Sequence, residues 1–179
     1  MLKKFVLAAI CLFVLTSFAF AQETSGAAAD AQRAEMKKLD SLTGQWKGSG
    51  WIQQGAKRET FTGTENVQRK IDGLALLVEG KFTNAEGKVI HETLAVLAYD
   101  PKAKGYRFRT YLASGMSGEH DFKLLPNDGG YEWGFQFPNG QVRYIIKTNN
   151  DVWLETGEFS RDGGKTWLKI FEMKLDKVK

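Results

Sequence analysis

Thiols are almost missing from this sequence of 179 residues: Cys11 is the single cysteine, and it lies inside an apolar stretch near the N-terminus. No intrachain disulfide can form, and neither a cysteine-rich metal knuckle nor a C-x-x-C redox pair is available. Histidine is nearly as scarce, with only His91 and His120. His91-Glu92 opens like H-E-x-x-H, but Ala95 stands where the second histidine belongs, so the zinc-protease signature is absent. A helical pattern of useful length is lacking beyond residue 40, which excludes a parallel sheet built from strand–helix–strand units. No apolar run reaches the ~20 residues of a membrane-spanning helix.

The apolar stretch Phe5–Phe18 follows Lys3 and Lys4 and ends at Ala19-Phe20-Ala21, an A-x-A cleavage pattern before Gln22. Residues 1–21 therefore read as a secretory signal peptide, which predicts export to the periplasm or the exterior. A lipoprotein signal needs a small residue before the cysteine, and Ile10-Cys11 does not supply one. Cleavage removes both lysines and the cysteine, lowering the formal net charge from +4 to +2. So small an excess points away from nucleic acid and from an anionic membrane surface. Residues 22–40 form a polar leader, flexible or a short helix, in which Ala31, Ala34, Met36 and Leu39 fall loosely on one face. Such a leader suits a mobile tether or a lid. Residues 41–179 remain as one domain.

That domain opens on Leu42-Thr43-Gly44-Gln45-Trp46-Lys47-Gly48-Ser49-Gly50-Trp51, where a large aromatic stands among residues without side chains. The pattern suits a sharply coiled first strand whose tryptophan plugs one end of a closed sheet. Ten strand candidates follow from there: Gln45–Gln54, Arg58–Ile71, Leu74–Thr83, Val89–Tyr99, Tyr106–Ala113, Gly118–Leu125, Tyr131–Phe137, Gln141–Thr148, Val152–Phe159 and Thr166–Leu175. Turn signals such as Asp72-Gly73, Pro138-Asn139-Gly140 and Asp162-Gly163-Gly164 separate them, and several are short enough to force antiparallel hairpins. Alternation is plain: Tyr131, Trp133, Phe135 and Phe137 oppose Glu132 and Gln136, and Val142, Tyr144 and Ile146 oppose Arg143 and Lys147. The expected fold is all-β, a single antiparallel up-and-down barrel of about ten strands, with a two-sheet sandwich as the alternative.

Leu42-x-Gly44-x-Trp46-x-Gly48-x-Gly50 resembles the first-strand signature of the calycin-type barrels, the lipocalins and the nitrobindin-like haem-binding barrels. Glu65, Gly73-Leu74, Glu79-Gly80, Leu97-x-Tyr99-Asp100 and Gly115 are similar to the bacterial family called domain of unknown function 1579. The resemblance spans roughly Leu42 to Lys174 and implies an antiparallel barrel with a central cavity. Nitrobindin-like barrels hold haem iron through a histidine late in the chain. The last two strand candidates here contain none, so that ligand is not carried over.

The remaining motifs are thin. Ser160-x-Asp162-x-Gly164-x-Thr166-Trp167 matches the Asp-box, in which Asp and Ser brace a tight turn; its single copy makes Asp162 a brace, not a catalyst. Gly115-Met116-Ser117-Gly118-Glu119 lacks the final glycine of a nucleophile elbow, and His120 and Asp121 point to opposite faces of a strand, which spoils a triad with Ser117. Arg107, Arg109 and Tyr111 share a face that would clasp a carboxylate if turned inward, and would be a solvated stripe if turned outward.

A cavity is then the main functional prospect. The candidate ligand-binding residues are Trp46, Glu65, His91, Phe108, His120, Trp133, Phe135 and Tyr144. The set predicts an exported, soluble barrel that takes a small apolar or amphipathic molecule, with no catalysis, no metal and no nucleic-acid partner. Two alternatives stand beside it. One is an interaction module whose barrel is filled by its own side chains; the other is an enzyme or haem-binding protein using His91 or His120. No cofactor is expected apart from haem under that last alternative.

Overall fold

The computed structural model describes residues 26–149 and 151–179. The signal-peptide reading of residues 1–21 lies outside the described residues. From Gly44 onward the chain is a run of ten antiparallel strands: β1 Gly44–Gln54, β2 Lys57–Lys70, β3 Ala75–Thr83, β4 Val89–Asp100 and β5 Gly105–Leu112, then β6 Ser117–Leu124, β7 Tyr131–Phe137, β8 Gly140–Asn149, β9 Val152–Ser160 and β10 Leu168–Lys177. Each pairs with its sequence neighbours, and β1 pairs with β10, Gly48 opposite Leu175, to close an up-and-down barrel. The sandwich alternative is thereby set aside. The strand expected from Thr166 begins at Leu168, because Asp162 holds Thr166 in the preceding turn through its backbone N–H and its hydroxyl.

The glycines of β1 explain how the seam closes. A Cβ on Gly48 would lie 2.1 Å from the carbonyl oxygen of Lys174, and one on Gly50 would lie 2.5 Å from the ring of Phe61. Only bare backbone lets β1 coil this tightly against β10 while Phe61 turns inward.

One end of the barrel is solid. Trp46, 2% exposed, meets Trp153 edge-on at 5.6 Å between ring centres, and its indole N–H donates to the carbonyl of Leu42 at 2.9 Å. A helix over residues 26–37, followed by a single 3-10 turn at Asp40–Leu42, lies across this end. Met36 and Leu39 are fully buried in the same core, and each apolar side chain so buried contributes about 1.5–3 kcal/mol. Polar bonds pin the helix to four strands. Tyr106 Oη donates to the Glu35 carbonyl at 3.0 Å, Tyr131 Oη to the Lys38 carbonyl at 3.1 Å, Gln32 Nε2 to the Tyr99 carbonyl at 2.8 Å, and Arg69 pairs with Asp40. Residues 26–37 are thus a docked plug and not the mobile tether that their composition suits. Among the described residues no helix is long and apolar enough to cross a membrane.

Candidate functional site

Opposite the plug the barrel is hollow. A cavity of about 510 Å3 runs from the tryptophan floor to a mouth between the strand-connecting turns. Its walls are the inward positions of the alternating strands: Val78, Phe108, Trp133, Tyr144 and Phe171 face it and are only half-buried, where the equivalent positions one layer lower are fully buried. Trp133 stacks on Tyr144 at 4.4 Å and 14° between planes, and Phe108 meets the same indole edge-on at 5.2 Å. At the mouth, Met116 is 64% exposed and Phe135 is 41% exposed.

Seven of the eight residues expected to bind a ligand line this space: Glu65, His91, Phe108, His120, Trp133, Phe135 and Tyr144. Trp46 does not. It points inward as expected, but Trp153 and the plug bury it beneath the floor. The face bearing Arg107, Arg109 and Tyr111 looks outward, Arg107 pairing with Asp121 and Arg109 donating to Glu119 at 2.6 Å. His120 and Asp121 are indeed on opposite faces, so no triad forms with Ser117.

The polar groups in the cavity are few and layered. His91 and His120 sit towards the mouth, where His91 Nε2 is bonded to the Thr93 hydroxyl and His120 Nε2 lies 3.1 Å from the Thr110 hydroxyl. Burial holds both imidazoles below their ordinary range, favouring the neutral form. Deeper down lie two acids. Glu65 is in register with Trp46 on β1 and with Gly80 on β3. A Cβ at Gly80 would fall 2.8 Å from Glu65 Oε1, so the missing side chain is what makes room for the carboxyl. Glu155 follows Trp153 by two residues on β9 and receives the indole N–H of Trp133 at 3.2 Å and that of Trp153 at 3.3 Å.

These acids differ in how they are satisfied. Glu155 uses both oxygens, whereas Glu65 Oε2 is buried and has no hydrogen-bond partner. Burial, reinforced by the charge of Glu155, pushes the Glu65 carboxyl up to about 8. Burial also raises Glu155, to about 7, against the opposing pull of the two indoles. Tyr144 is driven up to about 12 by burial and by the same Glu155. The cavity lining contains no lysine or arginine among the described residues.

Glu155 was not anticipated from the sequence. Its signal was available, because Trp153, Glu155, Gly157 and Phe159 alternate with Val152, Leu154, Thr156 and Glu158. An acid sharing a face with Trp153 is an inward acid if the tryptophan is inward. The single Asp-box turn is as expected: Asp162 accepts from Ser160, Lys165 and Thr166, is held down to about 2 by those bonds, and stands on the outside of the mouth.

No family model matches the chain, and no curated protein matches it significantly. Among solved structures the fold is similar to the crystal structure of Rv2717c from M. tuberculosis, with a TM-score of 0.64 over 80% of this chain and 97% of that one. At 12% identity that likeness concerns the fold alone. The chain's own topology is that of a closed ten-strand antiparallel barrel.

Proposed function

We propose that this chain is an exported binding protein that holds a small apolar or amphipathic molecule in its barrel and performs no chemistry on it. The observation that carries the reading is the ring of half-buried aromatic side chains around about 510 Å3 of space above a solid floor. Pockets of a few hundred Å3 with apolar walls and few polar groups are those that take small ligands. Burial of the guest against Phe108, Trp133 and Tyr144 would supply most of the binding energy.

Haem does not fit the residues present. Both cavity imidazoles turn Nε2 to a threonine hydroxyl, and β9 and β10 carry no histidine. Haem is therefore no part of the proposal.

Uptake of the neutral fluorescent probe N-phenyl-naphthylamine tests the reading. Its emission should rise on adding the protein, and Val78→Trp, which pushes a large ring into the cavity, should abolish the rise while circular dichroism stays unchanged. Equal probe binding by wild type and Val78→Trp would move the site to the outer surface and sink the cavity reading.

A further inference from the structure

We propose that the deep end of the cavity recognises a protonated amine: the ammonium head of an amphipathic guest sits at Glu65 and Glu155, and its apolar body lies along Phe108, Trp133 and Tyr144. The inference rests on the binding reading above and adds to it the chemistry of the guest.

Four observations converge. Glu65 lines the cavity, and its Oε2 is buried and without a partner. A buried acceptor left unmade is costly, and a barrel needing only a core at this level would gain stability from an apolar residue there. The second acid, Glu155, faces the same space from β9, and its charge is felt at Glu65. No basic side chain in the lining answers either acid among the described residues. The Glu65 carboxyl occupies the room that Gly80 leaves on the neighbouring strand, where any side chain would collide with it.

An ammonium head satisfies this arrangement in a way that other heads do not. It donates up to three hydrogen bonds, enough for Glu65 Oε2 and for the second lone pair of a Glu155 oxygen, and it brings the positive charge the lining lacks. Trp133 and Tyr144, stacked on each other, offer aromatic surface next to the cation and its first methylenes. A carboxylate head would meet two acids and no donor of opposite charge. A hydroxyl head would fill one acceptor but bring no positive charge against which Glu65 and Glu155 could ionise.

The test compares three guests of one length, dodecylamine, dodecanol and dodecanoate, as displacers of N-phenyl-naphthylamine from the folded protein at neutral pH. Dodecylamine is expected to displace the probe at a concentration at least about ten-fold lower than dodecanol, with dodecanoate weakest. Without a guest Glu65 keeps its proton, and it releases that proton to solvent when the ammonium arrives. Glu65→Gln keeps the shape but cannot ionise, so it should cut the preference for the amine by about ten-fold and leave dodecanol within about two-fold of wild type. Dodecanol or dodecanoate matching the amine in the wild type overturns this inference while leaving the cavity reading standing. An amine preference unchanged in both Glu65→Gln and Glu155→Gln overturns the assignment to these acids. Failure of the neutral probe itself to bind would instead remove the cavity reading on which the inference rests. If either variant does not fold, the wild-type ranking of amine over alcohol alone decides.

Discussion

The two ends of the barrel use the same ten strands and the same alternation, yet one end is packed solid and the other encloses space. At the plugged end the inward positions are large and meet a partner from outside the sheet: Trp46 meets Trp153, and Met36 and Leu39 arrive from the helix and fill the gap between them and the walls. At the open end the inward positions are also aromatic, but among the described residues no element from outside the barrel reaches them, and glycines such as Gly63, Gly80, Gly118 and Gly157 interrupt the inward rows. A ten-strand barrel is too wide for its own side chains to meet across the axis. The difference teaches that filling such a barrel takes a separate piece of chain. Where that piece does not reach, the inward glycines and the aromatic walls leave the cavity.

Removing the plug's contacts should break this contrast most strongly. Leu39→Ala is expected to cost about 2–5 kcal/mol in urea unfolding, because the side chain is fully buried and the surrounding strands cannot collapse into its space. A loss below about 1 kcal/mol would mean the helix merely rests on the barrel.

The buried acids give the next largest effect, and its sign follows from proton binding. The folded value of Glu65, about 8, lies above its ordinary value of 4.5, so the folded protein holds the proton more tightly than the unfolded one does. The stabilisation associated with that proton is complete below the unfolded value and is lost as pH rises through the folded one. The two histidines, shifted downward, contribute an opposing rise while their unfolded forms still hold protons, and they fall silent only above about pH 7.5. Wild-type stability should therefore fall as pH rises above about 7.5 in the absence of a guest, with Glu155 adding to the lower edge of the fall, and Glu65→Gln should flatten it and gain about 2–4 kcal/mol at the alkaline end. Thermal melts of both proteins across that range decide it, and parallel curves would show that Glu65 is already solvated.

At the mouth the expected effect is smallest. Phe135→Ala removes a ring that is 41% exposed and should change stability by less than about 1 kcal/mol. It should still weaken probe uptake, because the ring forms part of the entrance. A large stability loss would show that the open end is more tightly packed than its exposure implies.

The strands were legible because alternation and turn residues repeat ten times and each hairpin confirms its neighbour. The candidate wall residues were legible for the same reason, since one inward residue assigns the rest of its strand. Trp46 was misplaced because periodicity tells which way a side chain points but not how high along the axis it sits. Leu39 and Met36 belong to a leader whose sequence allows a tether, a lid or a short helix, because a few apolar residues loosely on one face among Ala, Glu and Lys leave the choice open until the surface they cover is known. Glu155 went unnoticed because Leu154 and Trp153, adjacent and both apolar, disguise which face of β9 is the inner one.

The pairing of β1 with β10 has a consequence for how the molecule is made. Every other hairpin joins neighbours and can form within microseconds of collapse, whereas Gly48 finds Leu175 only after the whole intervening chain has been laid down. Bringing such distant segments together costs about 4 kcal/mol of chain entropy before any contact at the seam repays it. The seam is thus expected to form late, and until it forms β1 and β10 present bare edges to any neighbouring chain. Substitutions at Gly48 or Gly50 should therefore announce themselves first as slow refolding and aggregation.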